Sequence, residues 1–400
     1  MKIALFHNSY QMRGGEDSMF ELEQTALRAL GHEVVVYHVS NTDTLGSNSL
    51  GTKIHTALTA SYNKSSKRAV QAFLDQERPD ISHVHNWFPL LSPSIYTAHQ
   101  RAKIPVVQTL HNYRLGCAAA TYRRRGQECT LCSPGNNRPA LKHRCYNNSL
   151  PGTIIWKHII DRNWANGQFT DTVDHYICPS QEVQERHCKM GLPVDRMSII
   201  PNACADPLAI HSKDKTKQKI EVCFVGRLVP EKGVDILLRA WQQLSPPTRA
   251  KARLKIIGDG RELAALKAIA ASDPSIHFHG TLAHAITLQH VCQSDLLVCP
   301  SIWAEPFGLT VIEAMGAGIP VIASRLGGPA KIIAHKETGY LVDPGNSDEL
   351  CQKIDDLLTY PNRGYKMGQR GRAIYEANYT PRAHALHLVK RFQSVIKNYQ

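Results

Sequence analysis

Short apolar runs alternate along the chain with longer amphipathic stretches. In the first half, five apolar runs predict strands, and the amphipathic stretch Glu16–Leu30 predicts a helix that Gly31 ends. The predicted strands are Ile3–Phe6, Glu33–Val39, Ile81–His85, Ile104–Leu110 and His175–Cys178. Continuous apolar runs such as Val34–Val36 are typical of parallel strands that are covered on both faces. Strands that alternate with helices predict parallel βαβ units.

The same pattern starts again near Ile220. The strands predicted there are Val222–Gly226, Leu254–Ile257, Ile276–Phe278, Leu296–Cys299, Val321–Ala323 and Tyr340–Val342. The lysine-rich stretch Ser212–Lys219 has no apolar periodicity and predicts a linker. We therefore predict an α/β protein with two doubly wound, Rossmann-like domains, 1–205 and 206–380, that face each other across a cleft. Residues 381–400 predict a C-terminal helix able to cross back to the first domain.

Residues 113–150 break this pattern and are predicted to be an insertion after the fourth strand. The chain has a formal net charge of +13, and residues 101–162 hold 11 basic and 2 acidic side chains, a local excess of +9. Such a patch suggests a polyanion, an anionic membrane surface or an acidic substrate as partner. The alternative interpretation is an ordinary solvated face.

Four of the 11 cysteines lie in the insertion, with the spacing Cys117-x11-Cys129-x2-Cys132-x12-Cys145. Four thiolates match a tetrahedral structural zinc site, in which Cys-x2-Cys is the usual chelating half. The other two cysteines stand singly, so the match to zinc spacing is imperfect. An iron–sulfur cluster, a disulfide and unligated thiols are the alternatives.

The composition is that of an ordinary globular protein, with 42% hydrophobic and 20% charged residues. It excludes a wholly disordered or fibrous chain. No stretch of 18 residues is apolar and uncharged, which predicts no transmembrane helix. The apolar run at the start is too short for a signal peptide. We expect a cytoplasmic protein that is able to lie peripherally on the inner face of the cell membrane.

The clearest candidate chemistry follows the predicted strand that ends at Cys299. A loop delivers Glu305, and a helix begins around Gly308 with Glu313 inside it. The backbone N–H groups of Gly308, Leu309 and Thr310 would be unpaired and would form an anion site for a phosphate. Two carboxylates beside such a site suit the hydroxyls of a sugar or ribose. The alternative is a favourable helix-dipole charge and a surface glutamate.

Three more loops carry candidate residues. Arg227 and Lys232 follow a strand on a loop that leads into a helix, where they could neutralise a diphosphate without a metal. Gly14 and Gly15 follow the first strand and allow close backbone approach to a ligand. His111 ends the fourth strand and could bond to a substrate. The alternatives are a solvated basic loop, an ordinary βα turn and a structural histidine.

Together these motifs resemble the retaining glycosyltransferases of family 4, the group 1 glycosyltransferases, which have the GT-B architecture. The motifs are Glu305-x7-Glu313, Gly226-Arg227-x4-Lys232, Gly14-Gly15 and Thr109-Leu110-His111. The stretch His85–Ser94 resembles the branch that makes bacterial surface polysaccharides, including lipopolysaccharide. The resemblance implies a hexosyltransferase that takes a sugar from a UDP or GDP sugar to a saccharide or lipid-linked acceptor. It implies no cofactor and no metal for transfer.

The resemblance also implies roles for the individual residues. Arg227 and Lys232 would hold the donor diphosphate and stabilise the leaving group. Glu313 would bind the ribose hydroxyls, and His111 would contact the transferred sugar. Glu305 would hold the donor sugar.

Backbone groups complete the implied donor site. The N–H groups at Gly308, Leu309 and Thr310 would hold the donor sugar together with Glu305, and Gly14 and Gly15 would lie near the diphosphate. The sequence departs from the family where Lys331 stands at a position that is often Glu, after Gly327-Gly328. This departure leaves the identity of the donor open.

Two other functions remain as alternatives. A nucleic-acid-binding protein could use the basic, cysteine-rich insertion 113–150 as a zinc module, but this leaves Glu305 and Glu313 without a purpose, and we expect no nucleic-acid partner. A sugar-nucleotide epimerase on the same fold would need acid–base groups on both sides of the sugar. The order of the Glu-x7-Glu motif argues against it.

Overall fold

The computed structural model describes residues 1–10, 14–41, 59–210, 219–271 and 273–399. The predicted linker lies outside these ranges except for Lys219. The described chain divides into two compact units. The first comprises Met1–Arg124, Glu128–Asn202 and Pro381–Gln400, and the second comprises Arg125–Gln127 and Ala203–Thr380.

The first unit is built on a six-stranded parallel sheet with the order β2-β1-β3-β4-β7-β8. In chain order its elements are β1 (Lys2–Ser9), α1 (Gly15–Ala29), β2 (Glu33–Ser40), α2 (Lys64–Glu77), β3 (Ile81–Asn86), α3 (Ser94–Ala102), β4 (Val106–Thr109), β5 (Arg123–Arg124), β6 (Gln127–Glu128), α4 (Arg138–Lys142), α5 (Leu150–Ala165), β7 (His175–Cys178), α6 (Gln181–Lys189) and β8 (Met197–Ile199). Strands β5 and β6 pair only with each other, in a small hairpin within the predicted insertion.

The second unit is built on another six-stranded parallel sheet, with the order β11-β10-β9-β12-β13-β14. Its elements are α7 (Pro207–Ile210), β9 (Ile220–Val225), α8 (Val234–Gln243), α9 (Pro246–Ala250), β10 (Ala252–Ile257), α10 (Leu263–Ala270), β11 (Ile276–Gly280), α11 (His284–Cys292), β12 (Leu296–Cys299), α12 (Leu309–Gly316), β13 (Val321–Ser324), α13 (Pro329–Ile332), β14 (Gly339–Val342), α14 (Ser347–Thr359) and α15 (Pro361–Asn378).

Alternation along the central strand β9 explains how the second sheet is covered on both faces. Val222 and Phe224 pack into one apolar cluster, whereas Cys223 between them packs into another. Because successive side chains of a strand point to opposite faces, one strand contributes to both clusters. The two doubly wound sheets are the fold that the apolar runs predict.

The last helix, α16 (Pro381–Tyr399), belongs to the first unit. Its residues Leu388 and Phe392 are fully buried and pack in one apolar cluster with Leu5 of β1 and Leu27 of α1. This cluster completes one face of the first sheet. Among the described residues, no helix combines the length and the apolar character needed to cross a membrane.

The structure differs from the sequence prediction mainly at the edge of the first sheet. Strand β8 pairs in parallel with β7, through Tyr176 with Met197 and Cys178 with Ile199. The sequence analysis does not predict this strand, because it is three residues long and ends in an exposed isoleucine. The predicted fourth strand, Ile104–Leu110, is longer than β4, which begins only at Val106.

Candidate active site

Two predicted side chains of the second unit form an ion pair. Lys232 ends a short 3-10 turn after β9, and Glu305 lies in the loop between β12 and α12. The distance from Lys232 Nζ to Glu305 Oε1 is 2.8 Å, and the hydroxyl of Ser301 donates to the same carboxylate oxygen. The two strands that lead to these residues, β9 and β12, are neighbours in the sheet, so their carboxyl ends bring the two loops together.

The Glu305 carboxyl of this pair favours its ionised form. Burial alone would raise the pKa of the Glu305 carboxyl, but the Lys232 ammonium and the Ser301 hydroxyl outweigh burial and lower it below its usual value. A buried carboxylate is tolerated where a cation and hydrogen-bond donors face it. The pair therefore keeps a cationic group in place at the strand ends.

Helix α12 begins beside this pair with unbonded backbone donors. Its N-cap is Gly308, at a φ of 120°, a conformation that side-chain-bearing residues rarely adopt. Gly308 also provides no side chain to cap the helix, and among the described residues the N–H groups of Leu309 and Thr310 have no hydrogen-bond acceptor. The start of a helix with open N–H groups attracts an anion.

A pair of glycines supports the loop that carries Glu305. The N–H of Gly328 donates to the carbonyl oxygen of Glu305 at 2.8 Å. A Cβ atom on Gly328 would lie 2.0 Å from the carbonyl oxygen of Phe307, so only glycine allows this approach. The sequence analysis treats Gly327-Gly328 only as a departure from a family pattern and misses this supporting role.

Two other predicted residues of the second unit, Glu313 and Arg227, lie outside this ion pair. Glu313 is buried within α12, and its Oε1 lies 2.9 Å from Nε2 of His284. Arg227 follows β9 and is exposed, and within the described part of the chain its guanidinium makes no ion pair. Glu305 and Glu313 therefore have different partners, a lysine and a histidine.

In the first unit, His111 lies just beyond the end of β4 and contacts a second histidine. Its Nε2 is 3.1 Å from Nδ1 of His85, which lies in the neighbouring strand β3. On the other side of the His85 ring, Nε2 lies 3.1 Å from Oε2 of the buried Glu23 in α1. A line of contacts thus runs from Glu23 through His85 to His111.

Glu23 is the anion at the centre of a histidine cluster. Its carboxylate also lies 3.0 Å from Nδ1 of His83 and 3.0 Å from Nε2 of His384, a residue of α16. Burial alone would raise the pKa of Glu23, but the ring nitrogens of His85, His83 and His384 that face the carboxylate hold it well below its usual value. Glu23 and His384 are each at most 2% exposed, so this contact is a buried tie between α1 and the C-terminal helix.

Burial keeps His85 and His111 neutral. It lowers the pKa of His85 to about 4. It also lowers the pKa of His111 well below its usual value, and the neighbouring His85 lowers it further. In a neutral imidazole one nitrogen donates and the other accepts. The charge of Glu23 favours the His85 proton on Nε2, so Nδ1 accepts from Nε2 of His111. This arrangement leaves Nδ1 of His111 as a hydrogen-bond acceptor.

His111 lines a small pocket of about 30 Å³ at the carboxyl ends of β3 and β4. Aromatic side chains and a guanidinium form much of its wall. Arg114 donates to the Tyr10 hydroxyl at 2.5 Å, and its guanidinium lies 4.8 Å from the centre of the Phe88 ring. The sequence analysis counts Arg114 only as part of a basic patch.

The remaining predicted residues of the first unit are the paired glycines and the four cysteines. Gly14 is the N-cap of α1 and Gly15 is its first residue, and both are exposed. Next to them, burial raises the pKa of Glu16 to about 7, although the nearby Arg114 opposes this. The cysteines are free and half-buried thiols, and they are Cys117, Cys129, Cys132 and Cys145.

The missed residues Glu23, His83 and His85 have one sequence signal. Strand β3 places two histidines at alternate positions of a run that is otherwise typical of a buried parallel strand. Buried polar side chains need partners, so such a pair indicates an internal polar network. Its carboxylate, Glu23, lies 60 residues earlier in the chain and carries no signal of its own.

Family models match most of the chain. The model described as Glycosyltransferase Family 4 matches residues 13–205, and the model described as Glycosyl transferases group 1 matches residues 208–374. The chain belongs to the group 1 glycosyltransferases of family 4. Together with the two parallel sheets, this membership makes it a glycosyltransferase of the GT-B type.

This glycosyltransferase is similar to curated enzymes of bacterial glycolipid synthesis. It is 26% identical over 244 residues to the lipopolysaccharide 1,2-N-acetylglucosaminetransferase of Salmonella typhimurium, a match that covers 56% of this chain and 62% of the relative. It is 30% identical over 196 residues to a GDP-mannose-dependent phosphatidylinositol monomannoside mannosyltransferase of Mycolicibacterium smegmatis. This match covers 46% of this chain and 50% of the relative. The chain thus spans only about half to three-fifths of the length of these relatives.

The fold of this glycosyltransferase is also similar to that of a solved structure. The crystal structure of Anabaena HepE in complex with UDP-glucose matches 98% of this chain and 100% of its own, with a TM-score of 0.69 and 19% sequence identity. At that identity the match shows the shared GT-B fold.

Proposed function

We propose that this glycosyltransferase moves a hexose from a UDP or GDP sugar to a saccharide or lipid-linked acceptor, with retention at the anomeric carbon and without a metal ion. The acceptor would be an intermediate of surface polysaccharide synthesis. In this proposal residues 1–205 form the acceptor domain and residues 206–380 the donor domain. The pairing of Lys232 with Glu305 beside the start of α12 is the observation that carries it.

The second unit has the groups that a nucleoside diphosphate requires. Lys232 and Arg227 would neutralise the diphosphate, and the N–H groups of Gly308, Leu309 and Thr310 would hold the donor together with Glu305. Glu313 is acceptor-only when ionised and suits the ribose hydroxyls. The Lys232–Glu305 contact keeps the ammonium in place before the donor arrives, so little reorganisation precedes the reaction.

The bond between the anomeric carbon and the phosphate oxygen would break as an acceptor hydroxyl oxygen bonds to that carbon from the same face. The acceptor proton would pass to an oxygen of the leaving diphosphate, so no protein base is required. Lys232 and Arg227 would stabilise the negative charge that collects on the diphosphate. His111 would contact the transferred sugar, with its Nδ1 accepting from a sugar hydroxyl.

The relatives support this substrate class. One relative is named for lipopolysaccharide and another for a phosphatidylinositol mannoside, and a neighbour in fold was solved with UDP-glucose. Their named donors differ in base, so the comparisons leave a UDP and a GDP sugar as the two candidates.

We also propose that the basic insertion lies against an anionic membrane surface. Arg138, Lys142 and Arg144 are exposed, and two apolar side chains near them in sequence also reach solvent: Leu131 is 51% exposed and Ile154 is 51% exposed. Basic and apolar groups on one surface favour anionic lipid headgroups over water. The test is co-sedimentation with vesicles of phosphatidylcholine alone or with phosphatidylglycerol. Binding to neither vesicle would contradict the membrane contact and leave the transfer reaction untouched.

Thermal shifts with UDP, GDP, ADP and CMP test the donor site. A nucleotide at 100 times its dissociation constant adds about 2.7 kcal/mol, which corresponds to a few degrees for a chain of this size. We expect a shift with UDP or GDP that Glu313→Ala abolishes and the matched control Glu337→Ala, an exposed glutamate of the same unit, retains. No shift with any nucleotide would contradict the proposed donor site.

The stereochemistry has its own measurement. Proton NMR of the product made from an α-linked nucleotide sugar should show an α-linkage, formed at an unchanged rate when no divalent cation is added. A β-linked product would overturn retention, and a strict requirement for an added cation would overturn metal-independent transfer.

A further inference from the structure

We propose that Cys117, Cys129, Cys132 and Cys145 bind one zinc ion as four thiolates and that this ion fixes the insertion between β4 and α5. The proposed transfer reaction uses none of these side chains. The inference therefore concerns a second, structural site and stands apart from the donor chemistry.

The middle of the insertion has little apolar packing to hold it. From Arg123 to Asn136, 14 described residues in a row have no buried side chain. The regular structure in this stretch is the hairpin of β5 and β6, with two residues in each strand. A segment without an apolar core needs another constraint to keep one conformation, such as a metal or a disulfide.

The backbone of Ala140 hydrogen-bonds to both Cys132 and Cys145. The N–H of Ala140 hydrogen-bonds to the sulfur of Cys132, and its carbonyl oxygen accepts from the N–H of Cys145 at 3.1 Å. A backbone donor that faces a cysteine sulfur is an outer contact that can orient a metal ligand.

Tyr122 joins the other two cysteines to this pair. The N–H of Cys129 donates to the carbonyl oxygen of Tyr122 at 2.7 Å and closes the base of the hairpin. The Tyr122 phenol lies within electrostatic range of both Cys117 and Cys132. Cys117 and Cys129 also lie within electrostatic range of Cys132 and of Cys145. The four thiols therefore form one group.

The charge around the group suits a zinc tetrathiolate. Zn²⁺ with four thiolates has a net charge of −2, and forming it from thiols releases four protons. Residues 113–150 hold seven arginines and lysines and one acidic residue, Glu128. The cation of Arg124 lies within electrostatic range of Cys145. The basic insertion thus offsets the charge that the metal site would carry.

The thiols are gathered but not yet at bonding distance. Zn–S bonds of about 2.3 Å place tetrahedral sulfurs about 3.8 Å apart. Among the described residues, the set of three potential ligands whose atoms lie within 4.8 Å of one another is Glu23, His83 and His85. Zinc binding would therefore draw the four sulfurs closer together. It would not use the Glu23 set, whose members already contact one another and His384 in a buried polar cluster.

Metal analysis of the purified full-length chain, prepared without chelator, tests the site. We expect about one zinc per chain in wild type and in Cys351→Ser, and less than about 0.2 in the double variant Cys129→Ser, Cys132→Ser. Cys351 is a half-buried thiol of the second unit and serves as the matched control. Zinc retained by the double variant would overturn the assignment and point to Glu23, His83 and His85.

Two measurements on wild type avoid the risk that the double variant fails to fold. Cobalt exchanged for zinc should give the intense visible absorption of tetrahedral thiolate coordination. Iodoacetamide labelling, read by mass spectrometry, should spare the four cysteines until a chelator is added. Iron with a sulfide-type spectrum, less than about 0.2 metal per wild-type chain, or a disulfide among the four would each overturn the zinc site.

Discussion

Lys232 Nζ lies 2.8 Å from Glu305 Oε1, and this contact joins two loops across 73 residues of sequence. The pair is largely buried, and each partner makes the charge of the other tolerable. Its loss therefore has two separable effects: the cation for the diphosphate disappears, and a buried carboxylate is left without its counterion.

Replacing Lys232 by alanine should lower kcat by about 10²–10³-fold, because the charge that collects on the leaving diphosphate loses a stabilising cation. Steady-state kinetics with the donor identified by thermal shift measure this. The matched control is Lys267→Ala, an exposed lysine of α10, which should keep the wild-type rate. Near-normal turnover of Lys232→Ala would contradict the diphosphate role.

His85 is expected to act as a positioning residue for His111. The variant His85→Phe removes the nitrogen that faces His111 Nε2 and should lower kcat by about 10–100-fold with a smaller effect on KM. The variant His85→Asn keeps an acceptor near the position of Nδ1 and should restore part of the rate. If His85→Phe matched wild type, or if His85→Asn rescued nothing while folding normally, the contact would have only a structural role.

Gly328 should tolerate no side chain. A Cβ atom would lie 2.0 Å from the Phe307 carbonyl oxygen, so Gly328→Ala must displace the loop that carries Glu305. We expect a loss of about 1–3 kcal/mol in the free energy of unfolding, together with weaker nucleotide binding. Urea denaturation measures the first quantity. Gly364→Ala is the control, since a Cβ there would make ordinary contacts of 3.4 Å or more in α15, and it should be neutral or slightly stabilising.

Buried histidines should make the protein acid-sensitive. Burial lowers the pKa of His187 to about 4, and those of His85 and His99 likewise. An unfolded histidine has a pKa of about 6.5, so between these values the unfolded chain binds protons that the native chain does not. Each such histidine contributes stability that is complete above about pH 6.5 and is lost, by up to about 1.4 kcal/mol per pH unit, as the pH falls towards 4.

Chemical denaturation of His187→Asn at about pH 7.5 and about pH 5 checks this dependence. An asparagine amide can replace the His187 Nδ1 donor to the Val183 carbonyl oxygen, at 2.8 Å, but it does not titrate. The variant should therefore lose less stability than wild type between the two pH values, and the exposed His158→Asn should behave like wild type. An unchanged pH dependence in His187→Asn would show that this ring is not neutral in the native state.

The parts of the fold that the sequence predicts are those set by local pattern. Continuous apolar runs locate most strands of both sheets, and the residues after β12 locate the start of α12 within one position. The Glu23 cluster escapes prediction because its members come from α1, β3 and α16 and meet only through the fold. The support of the Glu305 carbonyl by Gly328 escapes it for the same reason, since nothing near Gly328 in sequence indicates which backbone lies against it.

The first unit is discontinuous, because Leu388 and Phe392 fill a core whose other members, such as Leu5 and Leu27, come from the start of the chain. Synthesis proceeds from the N-terminus, so this core stays incomplete until the whole second unit has been translated. A fragment of residues 1–202 would expose that apolar surface and leave Glu23 without the imidazole of His384. The second unit, whose sheet strands run without interruption from 220 to 342, is therefore the half of the nascent chain that can finish folding first.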